Sequence, residues 1–310
     1  MFIESFHLLL PKNILHDMKR INLLIIFSFI LLVSANAQLL WKISGHGLKQ
    51  NSYLFGTHHL IPIQFLDSIP GIYPAFNNAQ MVVSEIVLSD PDIAAGISQA
   101  AMLPDTLTME DLLPADDYEY ADKELMKVMQ MSLKNLNKMH PSLIQTFFEL
   151  ELYKTRAHFD ENTKSDSYFQ LVANQKGIPV KGLETVKKQI ELLFPKYDLK
   201  GKAQELINTI KNKETLYADY EEINKLYRAG DIEGLNIVNK KWNKKWGISA
   251  EENAEMLDIR NKEWVTQLPE LMKLNSCFIA VGALHLPGEN GLIQLLRRAG
   301  YKVVAVRKNS

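Results

Sequence analysis

Cysteine is almost absent from these 310 residues. Cys277 is the single one, which excludes an intrachain disulfide and any metal cluster built from several thiolates. Its apolar neighbours Phe278-Ile279-Ala280-Val281 mark it as strand filler rather than as a nucleophile. A charge excess of either sign is also missing: 35 Lys and Arg stand against 36 Asp and Glu, for a formal net charge of -1. Nothing in the overall electrostatics recruits nucleic acid or an anionic membrane surface. No Pro/Ser-rich linker divides the chain after residue 37, and no second long apolar run follows the one near the N-terminus. What is present is a composition 46% hydrophobic, enough for a sizeable core, so a single domain over 38–310 is expected.

The N-terminal apolar run reads as an address rather than as fold. Met18-Lys19-Arg20 supplies a basic start, Ile21 through Val33 an apolar stretch, and Ala35-Asn36-Ala37 a small-x-small cleavage site. Residues 1–37 are therefore expected to be a secretory signal peptide, with Met18 as the true start and an uncleaved anchor as the alternative. The apolar stretch falls short of the about 20 residues of a membrane span. With no cysteine after it, a lipoprotein is disfavoured. The mature chain is expected to be periplasmic or secreted.

Periodicity then divides the mature chain. Leu39–Ile43 and Ser52–Phe55 are apolar runs around a Gly/Ser/Asn turn and predict a β-hairpin. Met81–Val87 predicts a third strand, entered from a short helix near Tyr73–Asn78. Between about 92 and 275 the spacing turns helical, as in Leu125, Val128 and Met129, or in Leu143, Phe147 and Leu150 after the helix-starting Pro141-Ser142. One strand, Gly177–Leu183, interrupts that helical insertion. Ser276–Val281, a helix over Leu292–Ala299 and a strand Tyr301–Val306 close the chain, an order that favours a parallel crossover.

The sharpest signal is an internal echo. Ser52-Tyr53-Leu54-Phe55-Gly56-Thr57-His58-His59 and Cys277-Phe278-Ile279-Ala280-Val281-Gly282-Ala283-Leu284-His285 are both apolar strands ending in Gly-x-x-His, each with a proline within three residues. A histidine in that place lies beyond the strand end, on the edge where open α/β sheets bind ligands. On adjacent strands the two would aim imidazoles at one spot. Strand alternation does not choose between His58 and His59; the shared spacing from glycine chooses His59. Taken singly, such a histidine is an ordinary hydrogen-bonded loop residue, so the pairing carries the weight.

A hydrolytic metal site needs a further ligand and an open position for water. Glu85 is the candidate, a carboxylate interrupting an apolar strand where unpaired burial is costly. The bland alternative puts Val83, Glu85 and Val87 on a solvent face. Glu184 stands at a helix start, where the helix dipole alone accounts for a carboxylate. Asp166 and Arg260 fall in polar helical stretches and read as surface charge.

Tyr53-Leu54-Phe55-Gly56-Thr57-His58-His59 and Val281-Gly282-Ala283-Leu284-His285-Leu286-Pro287 together resemble the two histidine motifs of the TraB/GumN (Tiki-like) family. Val82-Val83-Ser84-Glu85, Asp166, Gly182-Leu183-Glu184-Thr185 and Arg260-Asn261-x-x-Trp264 are similar to further pieces of it. The resemblance implies an α/β fold with a central mixed β-sheet, erythromycin esterase-like/ChaN-like, carrying the large helical insertion. It implies a metal-dependent peptidase acting on a peptide or protein substrate. His59, His285 and Glu85 would be metal ligands, the ion manganese or cobalt with zinc as the alternative. Arg260 and Glu184 join Glu85 as catalytic candidates. Some relatives carry a membrane anchor; the chain's end at Ser310, soon after the last strand, implies a form without one. Two rivals stay open: a non-catalytic protein that binds a peptide or pheromone, and a metal-independent esterase with a histidine base. The sequence is silent on oligomeric state.

Overall fold

The structure, a computed structural model, describes residues 38–160 and 165–307. The signal-peptide reading falls on residues 1–37 and lies outside the described residues. No helix among the described residues is long and apolar enough to cross a membrane.

The N-terminal hairpin forms as expected. β1 (Leu40–Ser44) pairs antiparallel with β2 (Ser52–Thr57), Leu40 opposite Phe55 and Ile43 opposite Ser52. The turn between them holds Gly45 and Gly47 at φ +80° and +77°, a left-handed conformation that only glycine adopts without strain. Four more strands complete the sheet: β3 (Met81–Ser84), β4 (Val180–Gly182), β5 (Cys277–Gly282) and β6 (Lys302–Ala305). Their order across the sheet is β4-β3-β5-β2-β1-β6. β4, β3, β5 and β2 are mutually parallel, and β1 alone runs against its neighbours β2 and β6. β6 thus shares the direction of β5, as the strand-helix-strand order suggested, but β2 and β1 lie between them.

The helices follow in two groups. Before β4 come α1 (Ile72–Asn77), α2 (Asp92–Ala100), α3 (Met109–Leu112), α4 (Ala115–Met129), α5 (Pro141–Ala157) and α6 (Ser165–Lys176). After it come α7 (Val186–Leu193), α8 (Leu199–Lys211), α9 (Lys213–Arg228), α10 (Ile232–Trp246), α11 (Ala250–Asn253), α12 (Arg260–Leu274) and α13 (Leu292–Arg298). The architecture is mixed α/β, with a six-stranded mixed sheet and a helical middle.

Two hydrophobic clusters account for most of the burial. The first joins the sheet to its flanking helices, with Phe169 of α6 against Phe278 of β5 at 4.6 Å and Phe76 of α1 at 5.1 Å between ring centroids. The second lies within the insertion and packs Leu125, Ile144, Phe148, Leu206 and Ile210 together. On α5 the buried face is Leu143, Ile144, Phe148 and Leu152, while Phe147 is exposed. The expected Leu143-Phe147-Leu150 stripe is therefore turned by about one residue, because α8 packs against the Ile144-Phe148 side.

β3 corrects a second expectation. Val82 and Val83 are both fully buried, so this interior parallel strand has no solvent face on which Glu85 could simply point outward. The strand also ends at Ser84 rather than at Val87. Beyond it the Gln170 side chain from α6 takes the place of a pairing strand, donating to the Ile86 carbonyl at 3.0 Å and accepting from the Leu88 N–H at 2.9 Å.

Candidate active site

Parallel pairing of β4, β3, β5 and β2 brings four carboxyl ends to one edge. Thr57 is level with Gly282, and Ser84 is level with both Ala280 and Gly182. The residues just past those ends are His58 and His59, the 3-10 turn Ala283–His285, Glu85, and Glu184. Backbone pairing continues beyond the strands, Glu184 N–H donating to the Glu85 carbonyl at 3.0 Å, so two acidic residues stand on neighbouring chains at the ligand-binding edge.

Two such carboxylates require a cation, and Arg260, the first residue of α12, supplies it. Its Nη2 donates to Glu85 Oε2 at 2.5 Å and to Glu184 Oε1 at 2.6 Å, and its Nε donates to Glu184 Oε2 at 3.1 Å. Nη1 donates to the Met256 carbonyl at 2.9 Å and to His285 Nε2 at 3.2 Å. All five guanidinium hydrogens are thereby engaged. The Met256 carbonyl lies within Ala254–Ile259, which is wound as a π-helix, a local widening that recurs at functional sites. Trp264, one turn further along α12, stacks under the guanidinium at 4.7 Å and against His285 at 4.4 Å.

His285 is 3% exposed. Its Nε2 lies 3.8 Å from Glu85 Oε1, and its Nδ1 is 2.7 Å from Asn261 Oδ1. Burial, offset only in part by Glu85 and reinforced by Arg260, pushes its pKa down to about 4, so the imidazole is neutral at pH 7. Burial opposes ionisation of Glu85. The charges of His285 and Arg260 and the Gly282 N–H, 2.8 Å from Oε1, outweigh it and hold the carboxyl below its usual range. Around neutral pH, where His285 is uncharged, Arg260 carries that effect. Gln189 of α7 lies 3.3 Å from both Glu85 Oε2 and Glu184 Oε1.

The two Gly-x-x-His segments are similar in sequence and unlike in shape. After Gly282 the chain folds into its 3-10 turn over Gly56, where a Cβ would sit 3.0 Å from Ala283 Cα and 3.1 Å from Leu286 Cδ2. Glycine is required there by close approach. β2 instead continues to Thr57; the His58 ring reaches α9, 2.6 Å from Asn224 Oδ1 and stacked on Tyr227 at 5.1 Å. His59 is exposed in the turn that follows the strand. Among the described residues the cluster joins Glu85, Glu184, Arg260 and His285. The side chain of Asp166 lies outside the described residues.

Arg260, expected from composition to be surface charge, is 4% exposed because two carboxylates and an imidazole satisfy it. The Glu184 side chain is 2% exposed. It precedes Thr185, the residue that caps α7 through Lys188 N–H, so pairing with Arg260 rather than the helix dipole accounts for it. Cys277 is fully buried, and burial pushes its thiol up to about 11, in keeping with an inert strand residue. Asn261 and Gln189 were not singled out as site residues; the one cue in the sequence was the adjacency of Asn261 to Arg260 within Arg260-Asn261-x-x-Trp264.

A mixed α/β sheet whose parallel carboxyl edge holds one buried and one partly buried carboxylate, a guanidinium and a neutral imidazole defines the class of an α/β protein with a polar site at its strand ends. The family model described as TraB/PrgY/gumN family matches residues 39–305, and the chain belongs to that family. Similar curated proteins are Metalloprotease TIKI2 of Xenopus tropicalis, 25% identical over 85% of this chain, and Metalloprotease TIKI1 of the same organism, 25% identical over 82%. Metalloprotease TIKI1 of Homo sapiens is 24% identical over 81%. The chain spans 59% of the length of each of these relatives. No solved structure matches it.

Proposed function

We propose that this chain is an exported peptidase that uses Glu85 and His285 as working groups and a divalent ion, manganese or cobalt, as cofactor. The observation that supports this best is the buried pair itself: an ionised carboxylate and a neutral imidazole 3.8 Å apart at the carboxyl edge of the sheet. The metalloprotease names of the relatives add the reaction type, and the leader-like residues 18–37 add the compartment.

The donors suit a divalent ion in kind and in spacing. Ligand atoms bound at roughly 2.0–2.2 Å to one ion lie no more than about 4.4 Å apart, and 3.8 Å falls within that reach. Nε2 is unprotonated while Nδ1–H is held by an amide oxygen, the outer support that metal-bound histidines use. Among the described residues no three His, Cys, Asp or Glu side chains already form a metal-holding group; in this reading His59 supplies the further ligand. A bound ion would contribute Lewis acidity toward a peptide carbonyl and toward water. The remaining chemistry belongs to the chain's own groups. Glu85 accepts the proton from attacking water. Arg260 keeps Glu85 ionised and sets positive charge beside the developing oxyanion; its Nη1 hydrogen bond to His285 Nε2 is the one it would release to an ion.

A second reading, ester hydrolysis with His285 as general base and no metal, is favoured by the same unprotonated Nε2. Elemental analysis of the purified protein beside peptide-library and ester cleavage separates the two. Stoichiometric divalent metal, with peptide turnover lost on chelation and in Glu85→Gln, supports the peptidase. Metal-free protein that turns over esters selects the second reading. Saturable, metal-independent peptide binding with no turnover overturns both.

A further inference from the structure

The hydrogen bonds of Asn261 point to a role that neither the motifs nor the relatives assign. Asn261 is 1% exposed and follows Arg260 on α12. Its Nδ2 lies 2.9 Å from the Asn290 carbonyl and 3.2 Å from the His285 carbonyl. Two carbonyl partners fix that end as the amide nitrogen, because oxygen there would face two acceptors. The other end, Oδ1, therefore faces His285 Nδ1 at 2.7 Å and accepts a hydrogen from it. Arg260 gives the same answer from the opposite side of the ring. A guanidinium only donates, so the 3.2 Å contact from Nη1 to Nε2 makes Nε2 the acceptor.

We infer that Asn261 is the positioning residue that holds His285 as the Nδ1–H tautomer, so that the Nε2 lone pair faces Glu85 and Arg260. The inference rests on the reading of His285 as the working imidazole. The same side chain grips the ring and the backbone of the 3-10 turn that carries it, fixing orientation and tautomer together. An amide does this without charge. An aspartate in its place would accept the Nδ1 hydrogen equally well but would add a negative charge and lose both donor bonds to the carbonyls.

The test is 15N NMR of the metal-free full-length protein with labelled histidine, which reads the proton position in the ring and needs no substrate or metal. Wild type is expected to show a protonated Nδ1 and an unprotonated Nε2 for His285. Asn261→Ser, folded by circular dichroism, is expected to move the proton toward Nε2. Asn261→Asp, which keeps the acceptor, is expected to retain it on Nδ1 and serves alone if the serine variant fails to fold. A folded serine variant with the wild-type signature, or an aspartate variant whose neutral ring carries its proton on Nε2, overturns the assignment. Because the readout is the ring itself, absence of peptidase activity would count against the proposed function and leave this inference standing.

Discussion

Replacing Arg260 by methionine removes the one cation that Glu85 and Glu184 share while keeping most of the apolar bulk against Trp264. The Glu184 side chain is 2% exposed and that of Glu85 23%, so neither carboxylate regains much water. Breaking a buried pair by removing one partner costs about 3–5 kcal/mol. For a domain of this size that corresponds to a loss of roughly 5–15 °C in Tm. The pH dependence carries the diagnosis. Without the guanidinium, burial and the remaining neighbouring carboxylate raise the folded-state pKa of Glu85 above the unfolded value, so the folded state of the variant binds more protons than the unfolded chain. Its stability deficit must grow as pH rises from about 4.5 through that raised pKa and shrink again in acid. Urea unfolding of wild type and variant across pH 5 to 8, with Glu184→Gln as the second arm of a double-mutant cycle, measures this. A deficit under about 1 kcal/mol, or one flat across that range, would refute the claim that Arg260 exists to compensate these carboxylates.

Other consequences follow from single contacts. Gly56→Ala places a methyl group 3.0 Å from Ala283 Cα and 3.1 Å from Leu286 Cδ2; a loss of about 1–3 kcal/mol in urea unfolding is expected. Because His285 is held near a pKa of about 4, below its unfolded value, its neutral burial stabilises the fold fully above about pH 6.5 and progressively less as pH falls toward 4. The linkage amounts to about 3 kcal/mol, and His285→Gln should flatten that stretch of the profile. Cys277, with its thiol pushed up to about 11, should react with a disulfide reagent only as fast as the protein unfolds; rapid labelling of native protein would contradict its inert role.

The parts of the fold set by short-range pattern were legible beforehand. The hairpin, the β5 strand of unbroken apolar residues and the helical middle follow from alternation, apolar runs and helical spacing. Where each strand stops was not legible, because the stop depends on a distant side chain: β3 ends at Ser84 where Gln170 takes over its backbone partners. The site divides in the same way. Glu85 stood out because a carboxylate interrupting an apolar strand needs a partner, and His285 because its Gly-x-x-His motif repeats the one that ends at His59. Arg260 did not, since an arginine in a polar helix becomes buried only when two carboxylates from β3 and β4 arrive beside it, and sheet order decides that. The Gly-x-x-His echo suggested matching geometry, yet the turn after Gly282 folds back over Gly56 while β2 continues past Gly56 to Thr57, so His285 is buried and His59 exposed.

The most direct measurement is kcat/KM for peptide cleavage by His285→Gln beside wild type, both metal-loaded and with the fold checked by circular dichroism. The account predicts a fall of at least about 100-fold with thermal stability near wild type at pH 8. Cleavage within about threefold of wild type would place the chemistry elsewhere in the molecule.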